Sequence, residues 1–200
     1  MEFYLLLLGI ITMLIGYLKI AIDYIKYKSK NNSTTAFELS KEITSDYDNI
    51  NIVESSEIII SKYYLKRKVI RLTKKMYSAK DTFSLALATY LSCISLSNSK
   101  YLEWLSKVIS SIDYLNKSPI IILIISYFAH TKGDAQIGIV LGGIILIYQY
   151  FYLQICVSSI NIANEKELDQ MILNILTHLY SSNKLFFIST LIFILRFIII

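Results

Sequence analysis

Apolar residues fall in long blocks along the chain, separated by polar and charged stretches. Residues 4–22 form the first block, interrupted by a single charge at Lys19. A helix rising about 1.5 Å per residue crosses a hydrocarbon core of about 30 Å over such a length. Glu2 stands where a signal peptide carries basic residues, and no small-residue cleavage site follows. The pattern therefore predicts a retained transmembrane helix over 1–23. Lys19, Lys26, Lys28 and Lys30 gather at its C-terminal side. By the positive-inside rule the N-terminus lies outside the cell membrane and the next segment, 24–117, is cytoplasmic.

Within 24–117 the periodicity changes. Asn31, Asn32 and Ser33 read as a short polar linker. Thr35 with Glu38 three residues on is a capping-box signature, and Phe37, Leu39 and Ile43 give the helix behind it an apolar face. Residues 57–73 read as a β-hairpin, with Ile58-Ile59-Ile60 and Val69-Ile70 flanking a charged turn at Lys66 and Arg67. Residues 85–96 are apolar around most of a helical circumference, as in a helix buried on several sides. Residues 101–115 are amphipathic, and Trp104 suits a membrane interface. Asp113 and Lys117 are spaced to pair on one helix face.

Ser118-Pro119 predicts an N-cap followed by proline at the first helical position. The apolar run 119–129 is short for a crossing, so the segment 118–157 is either a transmembrane or a re-entrant helical hairpin. Its second arm, 136–157, is a full-length span carrying Gly138 and Gly142 at GxxxG spacing, which lets another helix approach closely. Residues 158–183 read as a cytoplasmic helical segment, and 184–200 as a last transmembrane helix with Arg196 free to snorkel.

Composition fits this division. The chain has 200 residues, 54% of them hydrophobic, with a mean hydropathy of +0.52. The net charge of +5 suits an anionic lipid surface, so membrane lipids are expected partners. No segment interleaves basic residues with aromatics in a nucleic-acid motif, and no nucleic-acid partner is expected. The basic group Lys66, Arg67, Lys68, Arg71, Lys74 and Lys75 reads as a solvated surface, with attraction to anionic headgroups as a second use. Cys93 and Cys156 each sit in an apolar stretch and read as buried thiols; no CxxC suggests a structural zinc site.

Four stretches resemble the membrane-bound neutral zinc metallopeptidase family (YugP-like). Thr35-Ala36-Phe37-Glu38 stands where that family has a Thr-Gly-Ala-Glu helix start. Residues 62–72, from Lys62 to the Val69-Ile70-Arg71-Leu72 run, are similar to its His-Tyr-Asp-Pro hairpin and the strand after it. The helix over 82–97 stands where the family carries HExxH. Ser159-Ile160-Asn161-Ile162 stands in place of Glu-Phe-Asn-Ala, and Leu195-Arg196 echoes the family's closing tail. The resemblance lies in order and spacing over nearly the whole chain, with few identities. It implies a mainly α membrane protein with about four transmembrane or re-entrant helices. A zincin-like small α+β cytoplasmic domain (helix, β-hairpin, buried former active-site helix) is implied beside them.

It also implies lost chemistry. An HExxH helix offers two imidazoles one turn apart to zinc and a carboxylate as general base, and a third ligand comes from elsewhere. The resemblance puts Leu91 at the first His, Ser92 at the base, Ser95 at the second His and Ser159 at the third ligand. None of these does the missing work, and no HExxH occurs in any register. No catalytic residue, metal or cofactor is therefore expected. The expected function is that of a pseudopeptidase, a non-enzyme that binds other membrane proteins or copies of itself. Two alternatives stand beside it. One is an active metallopeptidase with a non-standard ligand set near Cys93, Cys156 and His178; the other is a small accessory membrane subunit unrelated to peptidases. His130 reads as outside the membrane, opposite His178.

Overall fold

The computed structural model describes residues 2–45, 50–56, 62–64, 68–96, 120–121, 124–125 and 135–199. Along them run α1 (Glu2–Lys28), α2 (Ala36–Thr44), β1 (Asn51–Ser55), β2 (Lys62–Tyr64), β3 (Val69–Thr73), α3 (Lys74–Tyr77), α4 (Thr82–Leu96), α5 (Ala135–Glu165) and α6 (Gln170–Ile199). The fold is mainly α with one small sheet. Among the described residues three helices, α1, α5 and α6, are long and apolar enough to cross a membrane. The short segment 118–129, expected as a fourth, lies outside the described residues apart from helical pieces at 120–121 and 124–125, and so do the helix 101–115, the Asp113/Lys117 pair and His130.

The chain divides into two compact units. The first holds Met1–Ala21, Asp113–Gln154 and Leu179–Ile200. Here α1 and α6 pack antiparallel, and glycines make the approach possible. Phe193 seats on Gly9 and Phe186 on Gly16, so closely that a Cβ at either glycine would come within 2.6 Å of the ring. The Ser189 hydroxyl donates to the Gly9 carbonyl at 2.8 Å, and Tyr17 tilts against Phe186 with ring centres 4.7 Å apart. Phe186 and Phe193 are buried. The outward faces carry Leu7, Leu8, Ile11, Leu14 and Leu18 on α1, with Ile137, Val140, Ile144 and Ile147 on α5. Apolar surface on that scale needs lipid as its solvent, which makes this a membrane protein.

The second unit holds Ile22–Ile112 and Ile155–His178. Its core is α4, which buries every residue from Thr82 to Ile94 except Ser84 and Leu87. Leu39 and Ile43 of α2 are buried in the α2–α4 contact. The α2 start is the capping box read from the sequence: the Glu38 amide donates to Thr35 Oγ1 at 3.2 Å, and the Thr35 amide donates to the Glu38 carboxylate at 2.7 Å. The sheet has order β1-β3-β2, with β1 parallel to β3 and β2 antiparallel to it. The hairpin therefore exists as β2 on β3, but its first arm is described only over Lys62–Tyr64; Ile58-Ile59-Ile60, Lys66 and Arg67 lie outside the described residues. The parallel strand β1 was not expected. Its five residues show no clean alternation of buried and exposed positions, so no period-2 signal marked it.

Two further expectations need correction. The segment 31–33 is not a free linker. Thr82 N–H donates to Lys30 O at 2.9 Å, Asn32 N–H to Lys80 O at 2.8 Å, and Asn32 Nδ2 to Thr82 Oγ1 at 3.1 Å. Backbone pairing thus ties the end of α1 to the start of α4. The boundaries at 157/158 and 183/184 fall inside α5 and α6, because polarity changes there while the helices continue. The chain turns instead at 166–169. Glu167 takes φ of 51°, Leu168 N–H reaches Ala163 O at 3.1 Å and Glu167 N–H reaches Asn164 O at 3.1 Å. That is a Schellman closure with glutamate where glycine is usual. Asp169 Oδ1 then accepts the Met171 amide at 2.9 Å and caps α6.

Candidate functional site

The place where a zinc site would be sought is the contact of α4 with α5, inside the second unit. The two helices meet where the Cys93 thiol approaches the Ser159 carbonyl, at 3.7 Å. Ser159 and Ser92 are fully buried, and Leu91 is nearly so. Each hydroxyl is committed to its own helix. Ser92 Oγ donates to Ala88 O at 2.9 Å, Ser95 Oγ to Ser92 O at 2.5 Å and Ser159 Oγ to Ile155 O at 2.8 Å. Donating to a backbone carbonyl leaves a hydroxyl's lone pairs in place, but neutral hydroxyls are poor zinc ligands.

The helical register matters as much as the residue types. Successive side chains are about 100° apart around a helix. Leu91 and Ser95 are each two positions from Cys93, so they project about 160° away from the side that meets Ser159. Thr89, four positions before Cys93, shares its side. The structure thus brings Cys93 to Ser159, and helical spacing puts Leu91 and Ser95 on the other side of α4 from Cys93. The Thr89 hydroxyl is bonded to Leu85 O at 3.0 Å. The five-residue window from Thr89 to Cys93 also contains no imidazole and no carboxylate.

Cys93 is the strongest ligand or nucleophile type here, and burial opposes its use as a free nucleophile. Desolvation pushes its thiol up to about 12. A thiol must lose its proton to attack a carbonyl. Cys156 is buried as well. His178, the third member of the alternative ligand set, is engaged elsewhere: its Nδ1 lies 3.0 Å from each carboxylate oxygen of Asp23. Among the described residues no three His, Cys, Asp or Glu side chains come together.

Asp23 is the buried acid that sequence reasoning missed. It sits one position beyond the first apolar block and is only 4% exposed. An acid at the end of a span, facing inward, asks for a partner, and that was the available signal. The partner is 155 positions away. At Gly138 a Cβ would come within 2.6 Å of the Phe197 ring of α6, and Gly142 is buried. A further hollow is lined by Val53, Glu54, Ser55, Ser56 and Arg71. No protein-family model, curated protein or solved structure matches the chain.

Proposed function

We propose that this protein is a catalytically inactive relative of the membrane-bound zinc metallopeptidases, acting by binding other membrane proteins or copies of itself. One observation carries the proposal. The buried helix α4 and the later helix α5 touch at Cys93 and Ser159, and the Ser92 and Ser159 hydroxyls, which the resemblance matches to the base and the third ligand, are bonded to their own helices. In this reading the second unit is a zincin-like domain whose chemistry has been replaced by helix packing. Three long apolar helices anchor the chain, with the N-terminus outside and Lys26, Lys28 and Lys30 on the cytoplasmic side.

A second reading, a small accessory subunit with no peptidase ancestry, is favoured by one fact. Leu91 and Ser95 face away from Ser159, so the family register is not reproduced at the contact. Elemental analysis of detergent-purified protein, with a chelator-sensitive peptidase assay, tests the proposal. The expected result is far less than one zinc per chain and no chelator-sensitive cleavage. Stoichiometric zinc would overturn it and point to the active peptidase with a non-standard ligand set. Crosslinking in native membranes, followed by identification of the crosslinked chains, tests the binding role.

A further inference from the structure

The end of α1 concentrates positive charge in an arrangement that the peptidase reading does not use. Lys26 and Lys30 converge on one ring, with their ammonium groups 5.0 and 5.5 Å from the centre of Tyr27. Lys28 lies 4.4 Å from the centre of Tyr24 and donates to the Tyr24 hydroxyl. Both rings are fixed by the fold: Tyr27 is buried, and Tyr24 packs edge-on against Phe83 of α4 at 5.3 Å. Cation–π contact holds an ammonium in place without cancelling its charge. The neighbouring carboxylates are committed elsewhere. Asp23 faces His178, Glu38 accepts the Thr35 amide, Asp81 accepts the Ser84 amide and Asp169 accepts the Met171 amide. Among the described residues no carboxylate lies within ion-pairing distance of Lys26, Lys28 or Lys30.

Directly before the lysines, Ile22 and Ile25 are 59% and 75% exposed. Three ring-anchored cations, without a carboxylate partner among the described residues, therefore sit beside exposed aliphatic side chains at the end of a membrane-length helix. We infer that Lys26, Lys28 and Lys30, with Ile22 and Ile25, form a binding site for an anionic phospholipid, its phosphate held by the lysines and its acyl chains laid on the isoleucines. A free phosphate would use only the polar half of this surface; a phospholipid matches both halves. The inference rests on α1 being a membrane span.

Nanodiscs holding equal amounts of phosphatidylcholine and phosphatidylglycerol provide the test, with lipids retained by the full-length protein counted by native mass spectrometry. A basic residue at a membrane surface favours anionic lipid by about fivefold. The retained lipid is expected to be enriched at least about fivefold in phosphatidylglycerol. The triple variant K26Q/K28Q/K30Q should bring the ratio near unity, and K26R/K28R/K30R should keep it. Absence of enrichment in the unmodified protein, or its persistence in the glutamine variant, would overturn the inference. If the glutamine variant does not fold, the unmodified protein decides the matter alone: enrichment must fall at 1 M salt, where screening acts within about 3 Å. Replacing chloride by inorganic phosphate at equal ionic strength must leave the enrichment intact; selective loss would reassign the site to a free anion. Carbonate washing of membranes separates the two levels, because release of the protein into the wash sinks the membrane span itself, whatever the lipid ratio.

Discussion

Replacing Gly9 by alanine puts a methyl group 2.6 Å from Cε1 of Phe193. Carbon atoms in contact normally lie about 3.5–4.0 Å apart. The ring must therefore retreat by about 1 Å. It has nowhere to go, since Phe193 is 0% exposed and the Ser189 hydroxyl pins the Gly9 carbonyl from the same helix. Forcing a methyl group into a filled core costs about 1–3 kcal/mol. Alanine returns part of this, because glycine is about 0.8–1.0 kcal/mol worse in a helix interior. Gly143 of α5 supplies the control, for among the described residues nothing lies within 4 Å of a Cβ built there. Gly143→Ala should be neutral or stabilising, and Gly9→Ala destabilising. The difference between the two removes the propensity gain they share and leaves an overpacking cost of about 1–3 kcal/mol. Thermal and SDS-induced unfolding of the detergent-solubilised variants measures both. Phe193→Leu should cost less in the Gly9→Ala background than alone, because the shorter side chain vacates the contested volume. If Gly9→Ala raised the unfolding midpoint as much as Gly143→Ala, the glycine would not be there for the ring.

Four other outcomes follow from the second unit. Cys93, buried with its thiol pushed up to about 12, should resist maleimide at pH 8 in a Cys156→Ser background and label fully once denatured; rapid labelling of the folded protein would contradict its burial. Asp23→Asn and His178→Ala should couple in a double-mutant cycle by about 1 kcal/mol, discounted from a fully buried pair because the imidazole is half exposed; strict additivity would mean the pair is incidental. The Glu38 carboxyl is held below the usual glutamate range, chiefly by accepting the Thr35 amide and then by the Thr35 side chain. A depressed value means its contribution is full at neutral pH and fades as pH falls through that value. The stability gap between unmodified protein and Glu38→Ala should therefore narrow between pH 6 and pH 3, and an unchanged gap would show that the carboxylate charge is irrelevant. Thr35→Ala should cost about 1 kcal/mol as a lost N-cap.

What the sequence made legible was local. Thr35 and Glu38 are three residues apart, and a capping box involves nothing else, so the pattern carried its own geometry. The span over α1 was legible for the same reason, because a continuous apolar block needs no partner to be recognised. Polarity misled where it was taken to mark the end of a helix. Ser158 and Lys184 differ from their neighbours in what surrounds them, not in backbone conformation. The turn between α5 and α6 uses Glu167 in a left-handed conformation, and no glycine announced it. Asp23 with His178, and Gly9 with Phe193, are long-range pairs that a single sequence does not connect. A fainter signal was present. Gly9 and Gly16 are seven apart, and so are Phe186 and Phe193, which is the spacing two antiparallel helices need to seat one pair on the other. At the candidate site the residue types were legible but the facing was not. Which side of α4 meets α5 depends on packing, and it proved to be the side of Cys93.

The seating of Phe186 and Phe193 on α1 also has a temporal side. Ser189 and Gly9, which lie in that seam, are separated by 180 positions. At about 5–20 residues per second, a ribosome takes roughly 10–40 s to make the intervening chain. Throughout that interval the glycine notches of the first helix are open to whatever else is in the bilayer. A polypeptide interrupted before α6 would keep them open indefinitely and offer membrane quality-control machinery a standing mark of incompleteness.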